Sequence, residues 1–260
     1  MEPRRRFAGR IAVVTGASRG IGRATALALA REGAHVVAVA RTQGGLEELD
    51  DEIRAGGGTA TLAPFDLKDF DAIDRLGQAV YERWGRLDVL VGNAGVLGPL
   101  SPLGHVRPEA WDEVMAVNVT ANWRLIRALD PLLRQGQAGR AVFLTSGAAH
   151  RLRAYWGPYS VSKAGVEALV KTYAAELAIS RARANLLNPG PIRTRMRATA
   201  MPGEDPTTLD PPEAVAPFVL DLADPGFDGN GLVFDYPSRS WLAVAVERTS
   251  APASAAARAG

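Results

Sequence analysis

The chain has 260 residues, of which 47% are hydrophobic and 22% are charged, with a formal net charge of +2 and a sequence pI near 9.1. This length and composition favour a globular protein that buries a large core without covalent cross-links. Cysteine is absent, which excludes disulfides, a thiolate nucleophile and cysteine zinc sites. His35, His105 and His150 show no ligand spacing, so we expect no metal site.

Basic residues are concentrated only in Arg4-Arg5-Arg6. We interpret residues 1–7 as a mobile basic arm and expect no nucleic-acid partner, although the pI and the arm leave a nucleic-acid binder as an alternative. The apolar residues 11–14 are too few for a signal peptide, and no run of about 18 apolar residues could span a membrane. We therefore expect a cytoplasmic protein without a membrane partner.

Strand-like apolar runs alternate with helix-length segments along the chain. The predicted strands are residues 11–14, 35–40, 59–65, 88–91, 141–145, 184–187 and 232–234. The predicted helices are residues 21–32, 46–55, 70–84, 109–133, 158–179 and 211–223. Consecutive apolar residues in several strands are typical of strands covered on both faces. The pattern predicts an α/β fold with a doubly wound parallel sheet, whose ligands bind beyond the carboxyl ends of the strands.

We expect one domain over residues 8–247, with a mobile lid near residues 190–210 that is rich in Pro, Gly and Thr. Residues 248–260 consist mainly of Ala, Ser and Pro, which predicts a disordered tail. Gly33 is expected to end the first helix. Asp210 is expected to cap the last helix, followed by Pro211 and by Glu213.

A glycine-rich turn joins the first strand to the first helix. Thr15-Gly16-Ala17-Ser18-Arg19-Gly20-Ile21-Gly22 spaces its glycines as G-x-x-x-G-x-G. A pyrophosphate needs backbone N–H groups and the positive end of a helix dipole nearby, and side chains would block that approach. The position of this motif after a buried strand predicts a dinucleotide site.

The end of the second strand bears on the choice of dinucleotide. NAD sites commonly place an acid there for the ribose 2′-hydroxyl, whereas this chain has Arg41 after the strand and Arg19 in the glycine turn. Guanidinium groups bind phosphate bidentately. We therefore favour NADP(H) over NAD(H), the alternative being that both arginines are solvated.

Tyr159 and Lys163 are spaced i, i+4 and share one face of a predicted helix. A nearby ammonium lowers the pKa of a phenol, so this pair can exchange a proton with a substrate hydroxyl. Ser146 ends a buried strand and can hydrogen-bond the substrate oxygen at the same sheet edge. Asn118 lies in a predicted helix, where an exposed polar residue is the alternative interpretation.

Together these motifs resemble the short-chain dehydrogenase/reductase family over roughly residues 8–240. The resemblance rests on the order and spacing of Thr15–Gly22, Asn93-Ala94-Gly95, Asn118, Ser146, Tyr159-Ser160-Val161-Ser162-Lys163, Pro189-Gly190 and Thr194. Residues 193–205 and Phe234-Asp235-Tyr236 also resemble a bacterial subgroup of poorly characterised oxidoreductases. The resemblance implies a single-domain Rossmann-type sheet of about seven strands that binds NAD(P) and interconverts an alcohol and a carbonyl.

The resemblance also implies roles for individual residues. Tyr159 would be the acid/base, Lys163 would bind the nicotinamide ribose and lower the pKa of Tyr159, Ser146 would orient the carbonyl, and Asn118 would hold a water in a proton relay. Asp66 would meet the adenine, Asn93 would border the adenosine ribose, and Ile192 and Thr194 would hold the nicotinamide amide and phosphates. The expected cofactor residues are Gly16, Ser18, Arg19, Gly20, Ile21, Gly22, Arg41, Asp66, Leu67, Asn93, Ala94, Gly95, Tyr159, Lys163, Pro189, Gly190, Ile192 and Thr194.

The chain departs from the family pattern at three places. Gly92 replaces an asparagine, which is expected to loosen hydrogen bonding at the fourth strand. Thr145-Ser146 replaces Ser-Ser, and the spacing to Tyr159 selects Ser146. The late Val-Asp-Gly-Gly-like segment is missing, so we expect a homo-oligomer without choosing between dimer and tetramer.

The small-molecule substrate stays open. Met196, Met201, Leu97, Leu152, Tyr155 and Trp156 favour an apolar pocket, although the methionines could simply pack the lid onto the domain. Arg151, Arg153, Arg193, Arg195 and Arg197 favour an anionic substrate instead. The alternative to an enzyme is a non-catalytic dinucleotide sensor or scaffold with the same fold.

Overall fold

A twisted, eight-stranded sheet forms the centre of the molecule, for which the computed structural model describes residues 5–242. The strand order is β3-β2-β1-β4-β5-β6-β7-β8, and only the β7–β8 pair is antiparallel. The strands are β1 (Ile11–Thr15), β2 (His35–Ala40), β3 (Thr59–Pro64), β4 (Val89–Gly92), β5 (Arg140–Leu144), β6 (Arg183–Asn188), β7 (Val233–Asp235) and β8 (Ser240–Trp241). The predicted doubly wound parallel sheet is therefore confirmed, and β8 extends the expected seven strands by one.

Helices cover both faces of the sheet. They are α1 (Gly20–Arg31), α2 (Gln43–Ala55), α3 (Phe70–Trp84), α4 (Pro108–Met115), α5 (Ala121–Gln135), α6 (Ala148–Arg151), α7 (Gly157–Glu176), α8 (Arg195–Ala200) and α9 (Ala216–Leu222). The predicted helix at residues 109–133 is interrupted between α4 and α5 by a π-helical turn at Ala116–Thr120. No helix among residues 5–242 is both long and apolar enough to cross a membrane.

Two apolar layers bury the sheet. One packs Val14, Val36 and other strand residues against α1, α2 and α9, and the second packs Leu90 and Phe143 against α3, α5 and α7. Every residue of β1, β4 and β5 is buried. The consecutive apolar residues of these strands thus face helices on both sides, as predicted from the sequence.

The helix ends follow the predicted signals in one case and not in another. Gly33 follows α1 with a φ of +92°, a conformation that favours glycine, as expected. Asp210 does not cap a helix, which corrects the prediction. Its carboxylate instead accepts a hydrogen bond from the Tyr236 hydroxyl at 2.8 Å, and a 3₁₀ turn at Pro212–Ala214 precedes α9.

The N-terminal arm differs from expectation in the part that is described. Arg6 forms ion pairs with Asp221 and Asp224 beside α9, and the Phe7 ring is fully buried in the first apolar layer. Residues 6 and 7 therefore pack on the domain because Phe7 contributes to its core. Residues 1–4 and the predicted tail at 248–260 lie outside the described residues.

Candidate active site

A cavity of about 840 Å³ opens at the carboxyl ends of the parallel strands. Its volume lies in the range typical of small-molecule sites. It brings together nearly all of the predicted site residues: Gly16, Ser18, Arg19, Gly20, Ile21, Arg41, Asp66, Leu67, Asn93, Ala94, Gly95, Ser146, Tyr159, Lys163, Pro189, Gly190, Ile192 and Thr194. Gly22 and Asn118 do not line the cavity, but Gly22 lies against Gly16 and Asn118 hydrogen-bonds to Val96, and both of these partners line it.

The glycine turn brings backbone close to the cavity floor. Gly16 and Gly20 have φ values of +66° and +58°, and α1 begins at Gly20 without a side-chain cap. A Cβ atom on Gly22 would lie 2.3 Å from the Gly16 carbonyl oxygen, so no side chain fits there. The first N–H groups of α1 are consequently open to an anionic ligand at the positive end of the helix.

Thr15 and Asn93 join the ends of β1 and β4. The Thr15 hydroxyl donates to the Val91 carbonyl at 3.2 Å and accepts from the Asn93 N–H at 3.0 Å. The Asn93 side-chain amide donates to the Thr15 carbonyl at 2.9 Å. Asn93 borders the cavity as expected, but its side chain is committed to holding the glycine turn in place. Thr15 was predicted only as the first residue of the glycine motif, and its own hydrogen bonds were not predicted.

Gly92 does not loosen β4, which corrects that expectation. A Cβ atom at Gly92 would lie 2.2 Å from the Phe143 ring, which stands opposite on β5 and is fully buried. The aromatic side chain fills the space that a larger residue would need. Gly92 therefore leaves room for the Phe143 ring on the neighbouring strand.

A cluster of charges lies at the end of the cavity beyond β2 and β3. Arg19 and Arg41 are both exposed there. The Arg41 guanidinium lies 3.7 Å from the Asp66 carboxylate, and both side chains are partly exposed. Because a solvated pair of this kind is weak, Arg41 keeps donors available for another anion.

Tyr159 and Ser146 meet near the other end of the cavity. Tyr159 lies in the first turns of α7 and is buried, and its phenol lies near Ser146, which follows β5. Burial raises the pKa of Tyr159 above its ordinary value, while the nearby Ser146 side chain acts in the opposite direction. The expected lowering by Lys163 is thus not what the structure shows, since burial dominates.

Lys163 is a buried ammonium one helical turn beyond Tyr159. Its Nζ donates to the Leu144 carbonyl at 2.8 Å and lies 5.7 Å from the centroid of the Tyr159 ring. Burial lowers the pKa of Lys163 to about 8, so the ammonium is still the main form at neutral pH. The positive charge stands next to the place where a phenolate would form.

Asn118 is fully buried in the π-helical turn, so its interpretation as an exposed residue is wrong. Its side-chain oxygen accepts from the Val96 N–H at 2.8 Å, and its amide donates to the Val96 carbonyl and the Ser162 hydroxyl at 2.9 Å. The π-helical turn therefore connects α7 to the segment that follows β4. Single π turns inside α-helices are frequent at functional sites.

Two further asparagines hold this end together and were not identified from the sequence. Asn122 donates to the Asn118 carbonyl at 2.6 Å. Asn188 ends β6, accepts from the N–H groups of Gly147 and Gly190, and donates to Asp235 on β7. A buried Asn at a strand end was a usable signal for Asn188. Asn122 gave none, because its partner is a backbone atom exposed by the π turn.

The predicted lid is anchored at its base and carries α8. Ile192 pairs with Asp210 in an isolated parallel bridge, and the Thr194 hydroxyl caps α8 by accepting from the Arg197 N–H at 3.2 Å. Met196 and Met201 pack with Leu97, Trp156, Tyr159 and Ala200 in a small apolar cluster. Met196 also lines the cavity, so both earlier interpretations of these methionines hold in part.

The comparisons with known proteins agree with this architecture. A family model described as short chain dehydrogenase matches residues 10–205. The uncharacterized oxidoreductase YciK of Escherichia coli K12 is 38% identical over 232 residues, which cover 87% of this chain and 91% of YciK.

Two further relatives differ in the nucleotide that their names mention. An uncharacterized NAD-dependent oxidoreductase of Mycobacterium tuberculosis is 38% identical over 202 residues, covering 72% of this chain and 73% of the relative. A crystal structure of a short chain dehydrogenase from E. coli CFT073, complexed with NADPH, is 37% identical with a TM-score of 0.85, covering 90% of this chain and 99% of that one. The chain belongs to the short chain dehydrogenase family and is an NAD(P)-dependent oxidoreductase by family.

Proposed function

We propose that this protein interconverts an alcohol and a carbonyl, with NADP(H) preferred over NAD(H) and Tyr159 as the acid/base. The observation that carries the proposal is the buried arrangement of Tyr159 against Ser146, with the Lys163 ammonium beside it, in the same cavity as the glycine turn. A non-catalytic sensor would not need this arrangement of buried polar side chains, which are costly to desolvate.

The glycine end of the cavity fits a dinucleotide. The absence of a Cβ at Gly22 and the uncapped start of α1 leave room and donors for a pyrophosphate. Arg19 and Arg41 line the cavity with exposed side chains that could bind a 2′-phosphate, and the similar structure from E. coli CFT073 contains NADPH. These features support the NADP preference.

The other end of the cavity would carry out the proton transfer. A bound nicotinamide would supply or accept the hydride. Since burial raises the pKa of Tyr159, the phenol is protonated at neutral pH and is suited to donate its proton to a substrate carbonyl oxygen. Ser146 would orient that oxygen. The Lys163 ammonium would stabilise the phenolate that remains, and Asn118 would keep α7 in position through Val96 and Ser162.

The proposal is tested by comparing the wild type with Tyr159→Phe across a panel of aldehydes and ketones. We expect kcat for reduction to fall by about 10² to 10⁴, which is the usual contribution of a positioned acid. NADPH affinity, followed by nicotinamide fluorescence, should change little. Tyr81→Phe is the control, because Tyr81 is 59% exposed on α3.

The pH dependence gives a second readout. Because the pKa of Lys163 is about 8, its ammonium is lost as the pH rises through that value, and reduction should slow over the same range. Full turnover by Tyr159→Phe would reject the proposed mechanism. NADPH binding by the wild type without turnover of any carbonyl would favour the sensor instead.

A further inference from the structure

A second, smaller cavity adjoins the candidate active site. Its volume is about 130 Å³, which is too small for a whole substrate but suits one functional group. Ser146, Trp156, Gly190 and Arg197 line both cavities, so a ligand in the large cavity can extend into the small one.

Positive charge dominates the wall of this cavity. Arg151, Arg153 and Arg197 line it, and acidic residues do not contribute to its lining. Arg197 is neutralised by its paired hydrogen bonds with Glu204. Arg151 and Arg153 form no ion pair with any acid among the residues that the structure describes. A Cβ atom on Gly147 would lie 3.6 Å from the Arg151 Nε, which shows that this guanidinium folds back over the loop after Ser146.

A buried hydroxyl in the same wall lacks a partner. Ser160 is 5% exposed, lines the small cavity, and its Oγ has no hydrogen-bond partner within residues 5–242. Leaving a buried hydroxyl unsatisfied is costly, so it normally finds a partner. The side-chain amide of Asn188 is already engaged by Gly147, Gly190 and Asp235. Arg151 and Arg153 are therefore the available side-chain donors, whereas the Ser160 Oγ has almost no accessible surface and would reach the cavity by rotation about its Cα–Cβ bond.

We propose that the small cavity binds an anionic oxygen group of the substrate, a carboxylate or a phosphate, held by Arg151 and Arg153 and by the Ser160 hydroxyl once its side chain rotates toward the cavity. This inference rests on the proposed function, since it places the group beside a carbonyl at Tyr159. Arginine is suited to both anions because its planar group donates two parallel hydrogen bonds. The substrate would then be a keto or aldehyde compound with a negative charge at one end.

The first test compares matched substrates with NADPH. The pairs are 3-formylbenzoate with its methyl ester, and glyceraldehyde 3-phosphate with glyceraldehyde. We expect the charged member of at least one pair to have the higher kcat/KM, and which pair shows the preference identifies the anion. Arg151→Gln and Arg153→Gln should each lower the ratio of charged to neutral kcat/KM by about tenfold or more.

Ser160→Ala and Arg181→Gln complete the variants. Ser160→Ala should lower the same ratio without loss of stability, because the hydroxyl has no partner among the residues that the structure describes. Arg181→Gln is the control, since it removes an exposed arginine that precedes β6, at the end of that strand opposite Gly190. The ratio should be unchanged in this variant.

A binding measurement separates this inference from the proposed function. Calorimetric titration of 3-formylbenzoate and of glyceraldehyde 3-phosphate into protein saturated with NADP⁺ needs no turnover. Binding that Arg151→Gln weakens would support the anion site even if no carbonyl were reduced. Tyr159-dependent reduction of the neutral aldehydes, with neither pair showing a preference and no binding of either anion, would overturn the anion site and leave the proposed function standing.

Discussion

The two ends of the large cavity are built by different means. At the glycine end, backbone conformation and the absence of side chains define the shape, since a Cβ atom on Gly22 would collide with the Gly16 carbonyl oxygen. At the tyrosine end, buried polar side chains define it, with Asn118, Ser162 and Lys163 hydrogen-bonded to backbone or to each other. One end therefore depends on local conformation and the other on contacts between distant segments.

The strongest test of the glycine end is Gly22→Ala. The new Cβ would collide with the Gly16 carbonyl and push the turn out of place, so we expect a loss of NADPH affinity of 100-fold or more with reduced stability. The measurement is a fluorescence titration with NADPH. Gly77→Ala is the control, because its Cβ would lie 2.8 Å from the Ala128 carbonyl, in the α3–α5 contact. That variant should lose stability but keep its NADPH affinity, and equal losses would contradict the local role of Gly22.

At the tyrosine end, the corresponding test concerns the buried ammonium of Lys163. Its pKa is about 8 in the folded chain against 10.5 ordinarily, so the unfolded chain binds more protons between these values. The free energy of unfolding should therefore rise with pH across this window, by up to about 3 kcal/mol. Lys163→Met should lack this rise. The difference in free energy of unfolding between the wild type and this variant, measured by urea denaturation, should therefore change between pH 7 and pH 10.5. Lys68→Met, which removes a partly exposed ammonium, is the control. An unchanged difference would contradict the burial of a charged Lys163.

Side chains also matter at the glycine end, and Arg41→Ala measures how much. Hydrogen bonds to charged groups contribute about 1.5–3 kcal/mol, so the ratio of NADH to NADPH dissociation constants should fall by about 10- to 100-fold. Arg19→Ala should act in the same direction. Arg31→Ala is the control, since Arg31 is exposed at the far end of α1. Tighter binding of NADH by the wild type would reject the phosphate interpretation of both arginines.

The smallest effect is expected in the lid, which spans both ends. Glu204→Gln weakens the paired hydrogen bonds that hold Arg197, so α8 should position Met196 less firmly. We expect KM for a carbonyl substrate to rise by less than about fivefold, with kcat nearly constant, because the pair is partly solvated and the neutral amide can still accept hydrogen bonds from Arg197. Glu213→Gln, in the exposed turn before α9, is the control. A large fall in kcat would show that the lid contributes to the chemistry itself.

Much of the fold was predictable because its signals are local. Predicted strand 35–40 coincides with β2 and predicted helix 70–84 coincides with α3, since both have clear periodicity and end signals. Nearly all of the candidate site residues line one cavity because parallel strands deliver their carboxyl ends to one edge. The homo-oligomer and the cytoplasmic location stay predictions, and light scattering and cell fractionation would test them.

The features that were predicted wrongly from the sequence have a common physical origin. Partners that are distant in the chain are involved in the π turn, in the burial of Asn118 and in the packing of the Phe143 ring beside Gly92. Asp210 begins a sequence pattern typical of a helix cap, but its carboxylate accepts a hydrogen bond from the Tyr236 hydroxyl, which follows α9 in the chain. Local sequence patterns predict which conformation a residue favours, but they do not predict which distant group will bind its side chain.

The parallel α/β architecture, the glycine turn and the Tyr159–Lys163 pair follow from the amino-acid sequence, because periodicity, glycine conformation and i, i+4 spacing are properties of short segments. The folded chain was needed to see that burial raises the pKa of Tyr159, that Asn118 ties α7 to Val96, and that Arg151, Arg153 and Ser160 line a second cavity. Desolvation and hydrogen-bond satisfaction depend on every group that packs around a side chain, and those groups come together only when the chain is folded.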